Sequence, residues 1–276
     1  MKKIKSLNYS NVPGVKESFR IFVKSVLRKV FISTPDRVNK GLITLRQRSI
    51  ERKIKKITKK DNSKIPKVIH YIWVGGNKKP DSVNEYIKTW KKHCPDYLIV
   101  EWNEKNYDMS KNRYTREAYG LRKWAFATDY MRLDILDMFG GVYMDSDIEV
   151  LRSLDKFLDK PAFTSFEAGR PDQILMSTGI MGAEPGNSWI RYLKTHYSEE
   201  RAFDIPGWGI DLTPNTDVIT DMTQKKYKIK MNNKFQENED FTIYPSEYFC
   251  PKSWSTGEIN LTENSHTIHH FAGSWQ

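Results

Sequence analysis

The 276-residue sequence is poor in cysteine and has no long apolar segment. Its two cysteines, Cys94 and Cys250, are too few for a disulfide framework, and we interpret them as small buried side chains in a reducing cytosol. No run of about 18 apolar residues is present, so no membrane-spanning helix is expected. Residues 1–5 (MKKIK) begin like a secretory leader, but no apolar stretch follows them. The sequence therefore predicts a cytoplasmic protein.

Positive charge is concentrated in the first quarter of the chain. Residues 1–64 contain 13 Lys and 6 Arg against 2 Asp and 2 Glu, a net charge of +15, whereas the whole chain carries +11. The remainder of the chain is therefore mildly acidic. We predict a basic, helical N-terminal extension over residues 1–64 and one globular domain over residues 65–276.

Two helices are predicted in the basic extension. Over Val15–Phe31 an apolar stripe recurs at helical spacing, with basic residues on another face. Such a helix can lie on an anionic membrane surface, or its stripe can pack on the globular domain. The second helix is predicted over Leu42–Lys60. We expect contact with the inner face of the cell membrane through residues 1–60. Nucleic acid is a weaker interpretation, because the aromatic residues are not interleaved with the basic ones.

Strands and helices alternate after residue 64. Lys67–Gly75 is predicted as a buried strand that ends near Trp73, Asp81–His93 as a helix and Tyr97–Trp102 as a second strand. This alternation is typical of an α/β fold with a mostly parallel central sheet. Further strands are predicted over Phe163–Phe166, Ile174–Met181, Lys225–Lys230 and Phe241–Pro245, and further helices over Asn187–Glu200 and from a cap near Thr213.

The most informative stretch runs from Lys123 to Val150. Its apolar residues predict a helix that ends at Gly140-Gly141, followed by a short strand over Val142–Met144. Asp145 and Asp147 come directly after this strand. Two carboxylates this close repel each other and lose hydration, and a divalent cation with oxygen ligands commonly compensates for both. An acidic turn without a metal is the simpler alternative.

Two further features point to the same region. Asp129 and Arg132 are three residues apart and share one face of the preceding helix, where they form either part of a site or an intrahelical ion pair. Ligands of α/β sheets bind beyond the carboxyl ends of the strands. Trp73 and the two aspartates follow predicted strands, so we expect them to converge. His70, inside the first strand, is expected to be a hydrogen-bonded core residue.

These residues together resemble a known family. Ala127-Thr128-Asp129-Tyr130-x-Arg132 and Gly140-Gly141-Val142-Tyr143-x-Asp145-x-Asp147 resemble the DXD-containing glycosyltransferase family 32, which includes bacterial capsular polysaccharide enzymes and yeast mannosyltransferases. A second matching block is Ile65–Trp73. The glucosylating domain of the large clostridial toxins looks like a more distant relative. The resemblance covers roughly residues 65–276 and implies a nucleotide-sugar-binding fold of the GT-A type.

The resemblance also implies roles for individual residues. Asp145 and Asp147 would hold Mn²⁺ or Mg²⁺ together with His270, the histidine of a His-x-x-Gly segment. His269 would pack elsewhere, because adjacent residues of a strand point to opposite faces. In many relatives an Asn-Gly pair occupies the place of Thr178-Gly179, which puts an amide contact to the sugar in doubt. The residues implied in donor binding or catalysis are Trp73, Asp129, Arg132, Tyr143, Asp145, Asp147, Ser274 and Trp275.

The implied reaction is the metal-dependent transfer of a sugar from a nucleotide-diphosphate donor, UDP-linked by expectation, with retention at the anomeric carbon. The expected acceptor is a saccharide or lipid-linked saccharide in capsular or exopolysaccharide synthesis. A protein acceptor, as for the toxins, is an alternative. Two other classes stay open: a metal-dependent phosphohydrolase with Asp145 as nucleophile, and a membrane- or nucleic-acid-binding protein with a silent enzyme core.

Overall fold

The computed structural model describes residues 40–168, 173–205 and 207–273. The predicted helix over Val15–Phe31 lies outside the described residues, and so do Ser274 and Trp275. Within the described residues no helix combines the length and the apolar character needed to cross a membrane.

Helices and strands alternate along most of the described chain. The helices are α1 (Lys40–Thr58), α2 (Asp81–His93), α3 (Arg113–Gly120), α4 (Trp124–Phe139), α5 (Ser188–Lys194), α6 (Asn215–Tyr227) and α7 (Ser246–Phe249). The strands are β1 (Val68–Ile72), β2 (Leu98–Trp102), β3 (Gly141–Met144), β4 (Ile148–Val150), β5 (Ala162–Ala168), β6 (Ile174–Met176), β7 (Ile180–Ala183), β8 (Asp204–Ile205), β9 (Gly209–Ile210), β10 (Gln236–Glu237), β11 (Thr242–Tyr244) and β12 (Thr267–His269).

The central sheet has eight strands. Seven follow the order β10-β11-β5-β7-β3-β1-β2, and β6 pairs with β5. β1 is parallel to β2 and β3, and β11 is parallel to β5, whereas β7 runs antiparallel between β3 and β5. Five strands, namely β2, β1, β3, β5 and β11, therefore point the same way. The prediction of an α/β fold with a mostly parallel sheet is confirmed.

Both faces of the sheet are covered by apolar residues. In β1, Val68 and Ile72 belong to one buried cluster, while Ile69 and Tyr71 belong to another. This alternation follows from the period of two in a strand. The first cluster includes much of α4, and the second includes Trp90 of α2. Helices therefore cover both faces of the sheet. The ends of the strands are not covered in this way, and a site can form there.

The passage from α4 to β3 depends on two glycines. Gly140 caps α4 at φ 61°, and Gly141 follows at φ 97°. A Cβ on Gly141 would lie 2.7 Å from the Val68 carbonyl oxygen and 2.9 Å from His70 Nε2. Only glycine combines the left-handed backbone with this close approach to β1. The helix therefore delivers β3, and the acids that follow it, directly beside the first strand.

His70 is a buried hydrogen-bonded residue, as predicted. Its Nδ1 accepts from Trp102 Nε1 at 3.0 Å, and its Nε2 lies 2.8 Å from the Gly140 carbonyl oxygen. Complete burial lowers the pKa of His70 to about 4. The ring is therefore neutral at pH 7, with the Nε2 proton donated to Gly140.

The second predicted helix of the basic extension is present as α1. Ile43 and Ile54 on one of its faces are buried, and Ile54 joins the apolar cluster that contains Val100 and Trp102 of β2. Arg46 Nη1 donates to the Lys105 carbonyl oxygen at 3.0 Å. This helix therefore packs against the sheet domain, although its other faces are strongly basic.

Two predicted strands are wrong. Ile174–Met181 forms two strands, β6 and β7, because Ser177-Thr178-Gly179 interrupts the regular pairing with β5. The segment Lys225–Lys230 is not a strand. Helix α6 continues through Tyr227 and ends at Lys228, which has a left-handed φ of 57°. The apolar run Ile174–Met181 concealed the break between β6 and β7, which borders the candidate site.

Candidate active site

The acidic turn after β3 forms the floor of the site. The Asp145 backbone N–H donates to the Gly179 carbonyl oxygen at 2.8 Å, and Ile148 N–H donates to the Asp145 carbonyl oxygen at 3.1 Å. Asp145 is partly exposed, whereas Asp147 is buried. The turn thus presents one carboxylate to solvent and places the second beneath it.

His269 meets both carboxylates. Strand β12 pairs antiparallel with β4, which places His269 opposite Ile148, next to Asp147 in the chain. Its Nε2 lies 3.3 Å from Asp147 Oδ1 and 3.9 Å from Asp145 Oδ2. One ligand atom from each of the three side chains lies within 4.8 Å of the others.

The structure does not bring His270, the expected metal ligand, to the acidic turn. His270 Nε2 lies 2.8 Å from Glu149 Oε2, and its ring stacks on Tyr86 with centroids 4.8 Å apart. The two histidines face opposite ways, as expected, and His269 is the one that faces the acids. The strand register, set by the β4–β12 pairing, decides which histidine faces the acids.

Arg132 holds the other side of Asp145. Its Nη1 donates to the Thr178 carbonyl oxygen at 2.7 Å and lies 3.4 Å from Asp145 Oδ1. The guanidinium carbon stands 4.8 Å from the centre of the Tyr143 ring, and the Tyr143 hydroxyl donates to Asp145 Oδ1 at 2.6 Å. The break between β6 and β7 supplies the carbonyl that fixes this arginine. Asp145 Oδ1 is therefore oriented by two donors.

Asp129 lies behind Arg132 and does not line the cleft. Its Oδ1 accepts from Arg132 Nη2 at 3.2 Å, so the predicted pair on one face of α4 exists. The cleft is bordered instead by Thr128, whose hydroxyl lies 3.3 Å from the same Nη2. Asp129 thus contacts the cleft through Arg132, and a direct contact of Asp129 with the donor sugar stays a prediction.

Burial and neighbouring charges set the protonation of these groups. Burial raises the pKa of Asp129 to about 7 against the opposing effect of Arg132. For Asp147, burial alone would raise the pKa, but His269 outweighs it and lowers the value to about 2. Burial would likewise lower the pKa of His269, yet the Asp147 carboxylate holds it well above its ordinary value. Without a cation, the protonated imidazole supplies the charge that Asp147 requires.

A cleft of about 610 Å³ opens above these groups. Trp73 and Asn77 line it beyond the end of β1, as the strand pattern predicted, and the Trp73 indole N–H donates to the Asn77 carbonyl oxygen at 2.8 Å. Arg132, Tyr143, Asp145, Asp147 and His269 line the same cleft. The convergence of Trp73 with the acidic turn is therefore observed.

Several cleft residues were missed by sequence reasoning. Arg122, Trp124, Glu167 and Trp254 all line the cleft. Arg122 precedes α4 with φ 56°, and Trp254 lies on a loop that carries no regular pattern. Glu167 lies near the end of β5, directly after the predicted strand Phe163–Phe166. An acid at the end of an apolar strand was the one available signal.

The residues present fit a divalent cation. Two carboxylates and an imidazole converge, which is an oxygen-rich donor set with one nitrogen. The His269 ring also has a buried Nδ1 with no hydrogen-bond partner among the described residues. Ser274 and Trp275, implied in donor binding, lie outside the described residues.

Comparisons with known proteins show similarity to glycosyltransferases. The family described as "Glycosyltransferase sugar-binding region containing DXD motif" matches residues 80–164, which include Asp129, Arg132, Tyr143 and both aspartates of the acidic turn. The mannosyl phosphorylinositol ceramide synthase CSH1 of Saccharomyces cerevisiae is 24% identical over 214 residues, covering 71% of this chain and 54% of that protein. The inositol phosphoceramide mannosyltransferase 3 of Schizosaccharomyces pombe is 28% identical over 141 residues, covering 46% of this chain and 35% of that protein.

The chain spans about half the length of the first of these relatives. Among solved structures, the PaToxG glycosyltransferase aligns with a TM-score of 0.43 at 16% identity, covering 68% of this chain and 80% of that one. A glycosyltransferase involved in the glycosylation of the major capsid of PBCV-1 aligns with a TM-score of 0.40 at 10% identity, covering 75% and 95%. The family match confirms the resemblance predicted from the motifs: the chain is similar to the DXD-containing glycosyltransferases, and the matching region is residues 80–164.

Proposed function

We propose that this protein transfers a sugar from a nucleotide-diphosphate donor to a hydroxyl group, with a divalent metal held by Asp145, Asp147 and His269. The convergence of these three side chains below a cleft that Trp73 borders is the observation that carries the proposal. The sugar-binding region shared with glycosyltransferases gives it a chemical class. A divalent metal bound there supplies positive charge against the charge that develops on the departing diphosphate.

The donor set favours Mn²⁺ over Mg²⁺. Mg²⁺ prefers oxygen ligands in near-ideal octahedral geometry, whereas an imidazole nitrogen suits transition metals better. His269 provides such a nitrogen beside the two carboxylates. Within the protein, Arg132 and Tyr143 keep Asp145 oriented, and burial keeps Asp147 in place for direct ligation. The Trp73 side chain offers an apolar surface for the nucleotide base.

For the donor nucleotide and for the acceptor, more than one candidate is proposed. The motif resemblance favours a UDP-linked donor, while two relatives are named for mannosyl transfer to an inositol phosphoceramide. A mannosyl donor is therefore the second candidate. We propose a saccharide or lipid-linked saccharide as acceptor, such as a capsular or exopolysaccharide repeat, with retention at the anomeric carbon. A protein acceptor is the alternative, to be tested with the purified enzyme.

The phosphohydrolase alternative is disfavoured by the geometry around Asp145. A nucleophilic aspartate needs a free oxygen directed at the phosphorus atom. Asp145 Oδ1 already accepts from the Tyr143 hydroxyl at 2.6 Å and faces Arg132. Asp145 Oδ2 faces His269. This arrangement suits an oriented metal ligand. Release of inorganic phosphate from simple esters, abolished in Asp145→Asn, would reverse this preference.

Donor hydrolysis without acceptor tests the proposal. UDP- and GDP-linked sugars are incubated with Mn²⁺, and nucleotide release is followed for the wild type and for the Asp145→Asn/Asp147→Asn double variant. We expect release from one donor, abolished by the double variant and by chelator. Asp221→Asn, an exposed aspartate paired with Lys225 on α6, is the matched control and should retain the activity. If no donor gives nucleotide release or Mn²⁺-dependent nucleotide binding, the proposal is wrong, and Asp145 and Asp147 form an acidic turn without a metal.

A further inference from the structure

Behind His269 lies a second group of buried polar side chains. One ring nitrogen of His269, a carboxylate oxygen of Glu167 and the sulfur of Cys250 lie within 4.8 Å of one another, and all three residues are buried. Ser177 joins them, because its Oγ lies 3.3 Å from the Cys250 sulfur. These four residues are called the His269 support cluster below.

Two atoms of this cluster lack partners. His269 Nδ1 and Glu167 Oε2 are both buried, and neither has a hydrogen-bond partner among the described residues. The other ring nitrogen of His269, Nε2, already faces Asp147 at 3.3 Å. A buried polar atom without a partner costs about 1–3 kcal/mol, so two neighbouring ones are best explained as a pair. Nδ1–H is a donor and Oε2 an acceptor, and the two side chains approach each other within 4.8 Å.

We propose that Glu167 is a positioning residue for the metal ligand His269. Its carboxylate accepts the Nδ1 proton, which fixes the ring so that Nε2 is directed at Asp145 and Asp147. Metal-ligating histidines generally donate their other ring N–H to a carboxylate or carbonyl group, and loss of that partner weakens metal affinity. This inference rests on the proposed function, because it gives Glu167 a role toward the metal that Asp145, Asp147 and His269 would hold.

Neighbouring geometry explains why the ring needs such a partner. A Cβ on Gly179 would lie 2.9 Å from both Cε1 and Nδ1 of His269 and 3.3 Å from Asp145 Oδ2. Because residue 179 is a glycine, the His269 imidazole has room beside the acidic turn. Phe271 covers the other side, with ring centroids 4.1 Å apart. Packing restricts the ring, and the Glu167 carboxylate selects which nitrogen points at the metal.

The test is a double-mutant cycle on Mn²⁺ affinity, measured on the full chain by the electron paramagnetic resonance signal of free Mn²⁺. Glu167→Leu removes the acceptor but keeps much of the volume, and Glu167→Gln keeps an amide oxygen. We expect Glu167→Leu to raise the Mn²⁺ Kd about 10- to 100-fold and Glu167→Gln to raise it less. In a His269→Ala background, either change at Glu167 should have almost no further effect.

Three results would overturn the inference. The first is a Mn²⁺ Kd unchanged in Glu167→Leu, and the second is an effect that is equally large without His269. The third is a loss in Cys250→Ala while Glu167→Leu has none, since the thiol would then be the partner of Nδ1. If Glu167→Leu fails to fold, the same cycle is completed with Glu167→Ala, which also removes the acceptor.

The wild type separates this inference from the proposed function. Wild-type protein that binds no Mn²⁺ would overturn both. Wild-type protein whose Mn²⁺ affinity depends on Asp147 and His269, but not on Glu167, would overturn only the positioning role. Far-ultraviolet circular dichroism checks for general damage, and we expect the same spectrum for the wild type and both Glu167 variants.

Discussion

At the scale of single residues, the site depends on which of two adjacent histidines faces the acids. His269 lies 3.3 Å from Asp147, while His270 pairs with Glu149 and stacks on Tyr86. Only His270 has the His-x-x-Gly spacing, yet His269 is the one that faces the acids. Sequence spacing alone could not separate them, because a shift of one residue in strand register exchanges their faces.

The two histidines give a matched pair of variants. We expect His269→Ala to weaken Mn²⁺-dependent nucleotide binding by at least about 10-fold, because it removes a proposed ligand. His270→Ala should change that affinity by less than about 3-fold. Calorimetric titration of UDP and GDP at fixed Mn²⁺ measures both. The reverse order of effects would restore His270 as the ligand and contradict the geometry described above.

His70 predicts how stability depends on pH. Its pKa is about 4 in the folded protein, against about 6.5 for an exposed histidine. Between these values the unfolded chain binds a proton that the folded chain does not, so the free energy of unfolding falls as pH decreases. The full difference is about 3 kcal/mol. It is present above pH 6.5 and lost progressively toward pH 4.

Urea denaturation at a series of pH values measures this dependence. His196, which is half-buried, and His266, which is buried, also have pKa values lowered to about 4 by burial and contribute in the same direction. His70→Gln, which keeps a polar side chain, should therefore flatten the profile without abolishing it. A profile in His70→Gln as steep as that of the wild type would show that His70 is not the buried neutral group described here.

At the scale of elements, the passage from α4 to β3 is the part most clearly written in the sequence. Apolar spacing, Gly140-Gly141 and the following acids predicted a helix, a break, a short strand and a turn, and all four are present. Each of these signals depends on residues that are close together in the chain, so the predicted elements do not depend on distant contacts. The segment Ile174–Met181 shows the opposite case, since its interruption at Thr178 is decided by pairing with β5 and by Arg132.

Gly141 provides a test at this scale. Gly141→Ala introduces a Cβ 2.7 Å from the Val68 carbonyl oxygen at a positive φ. Gly257→Ala is the matched control, because Gly257 also has a positive φ, at 72°, but nothing lies within 4 Å of its Cβ position. We expect the control to lose about 1–2 kcal/mol of unfolding free energy from backbone strain alone. Gly141→Ala should lose a further 1–3 kcal/mol or so from overlap with β1.

Denaturant midpoints of the two variants measure this difference. Equal losses in both would mean that β3 can move away from β1 at low cost. In that case the close approach of Gly141 would not be what fixes the position of the acidic turn.

Helix α1 provides a second test. Ile54 is buried against β2, whereas Leu45 on the same helix is 60% exposed. Ile54→Ala should lower the unfolding free energy by about 2–5 kcal/mol, because it leaves a cavity in the core. Leu45→Ala should change it by less than about 0.5 kcal/mol. Thermal or urea unfolding of both variants measures this, and similar small losses would show that α1 is not docked on the domain.

At the scale of the whole molecule, charge is divided along the chain. Residues 1–64 carry a net charge of +15 and precede the domain that contains the site. The remaining residues are mildly acidic. The boundary at residues 64 and 65 stays a prediction, with α1 contacting the sheet domain from within the basic extension. A peripheral position on the inner face of the cell membrane likewise stays a prediction.

The membrane prediction is tested by co-sedimentation with vesicles. Full-length protein should sediment with vesicles that contain anionic lipid and should be released by added salt, because screening weakens the attraction. Deletion of residues 1–31 should reduce the bound fraction severalfold. Neutral vesicles are the control. Unchanged binding after the deletion would assign any membrane contact to another part of the chain.

The sequence by itself determined the α/β class, the acidic turn after β3, the pairing of Asp129 with Arg132 and the position of Trp73 at a strand end. Each of these follows from local spacing or from the rule that ligands meet strand ends. Tertiary structure alone decided that His269 faces the acids, that Thr178 holds Arg132 and that Glu167 lies behind the imidazole. Those contacts join segments about 40 to more than 100 residues apart in the chain, and their geometry depends on strand register and on packing between elements. No local sequence pattern encodes strand register or the packing between elements.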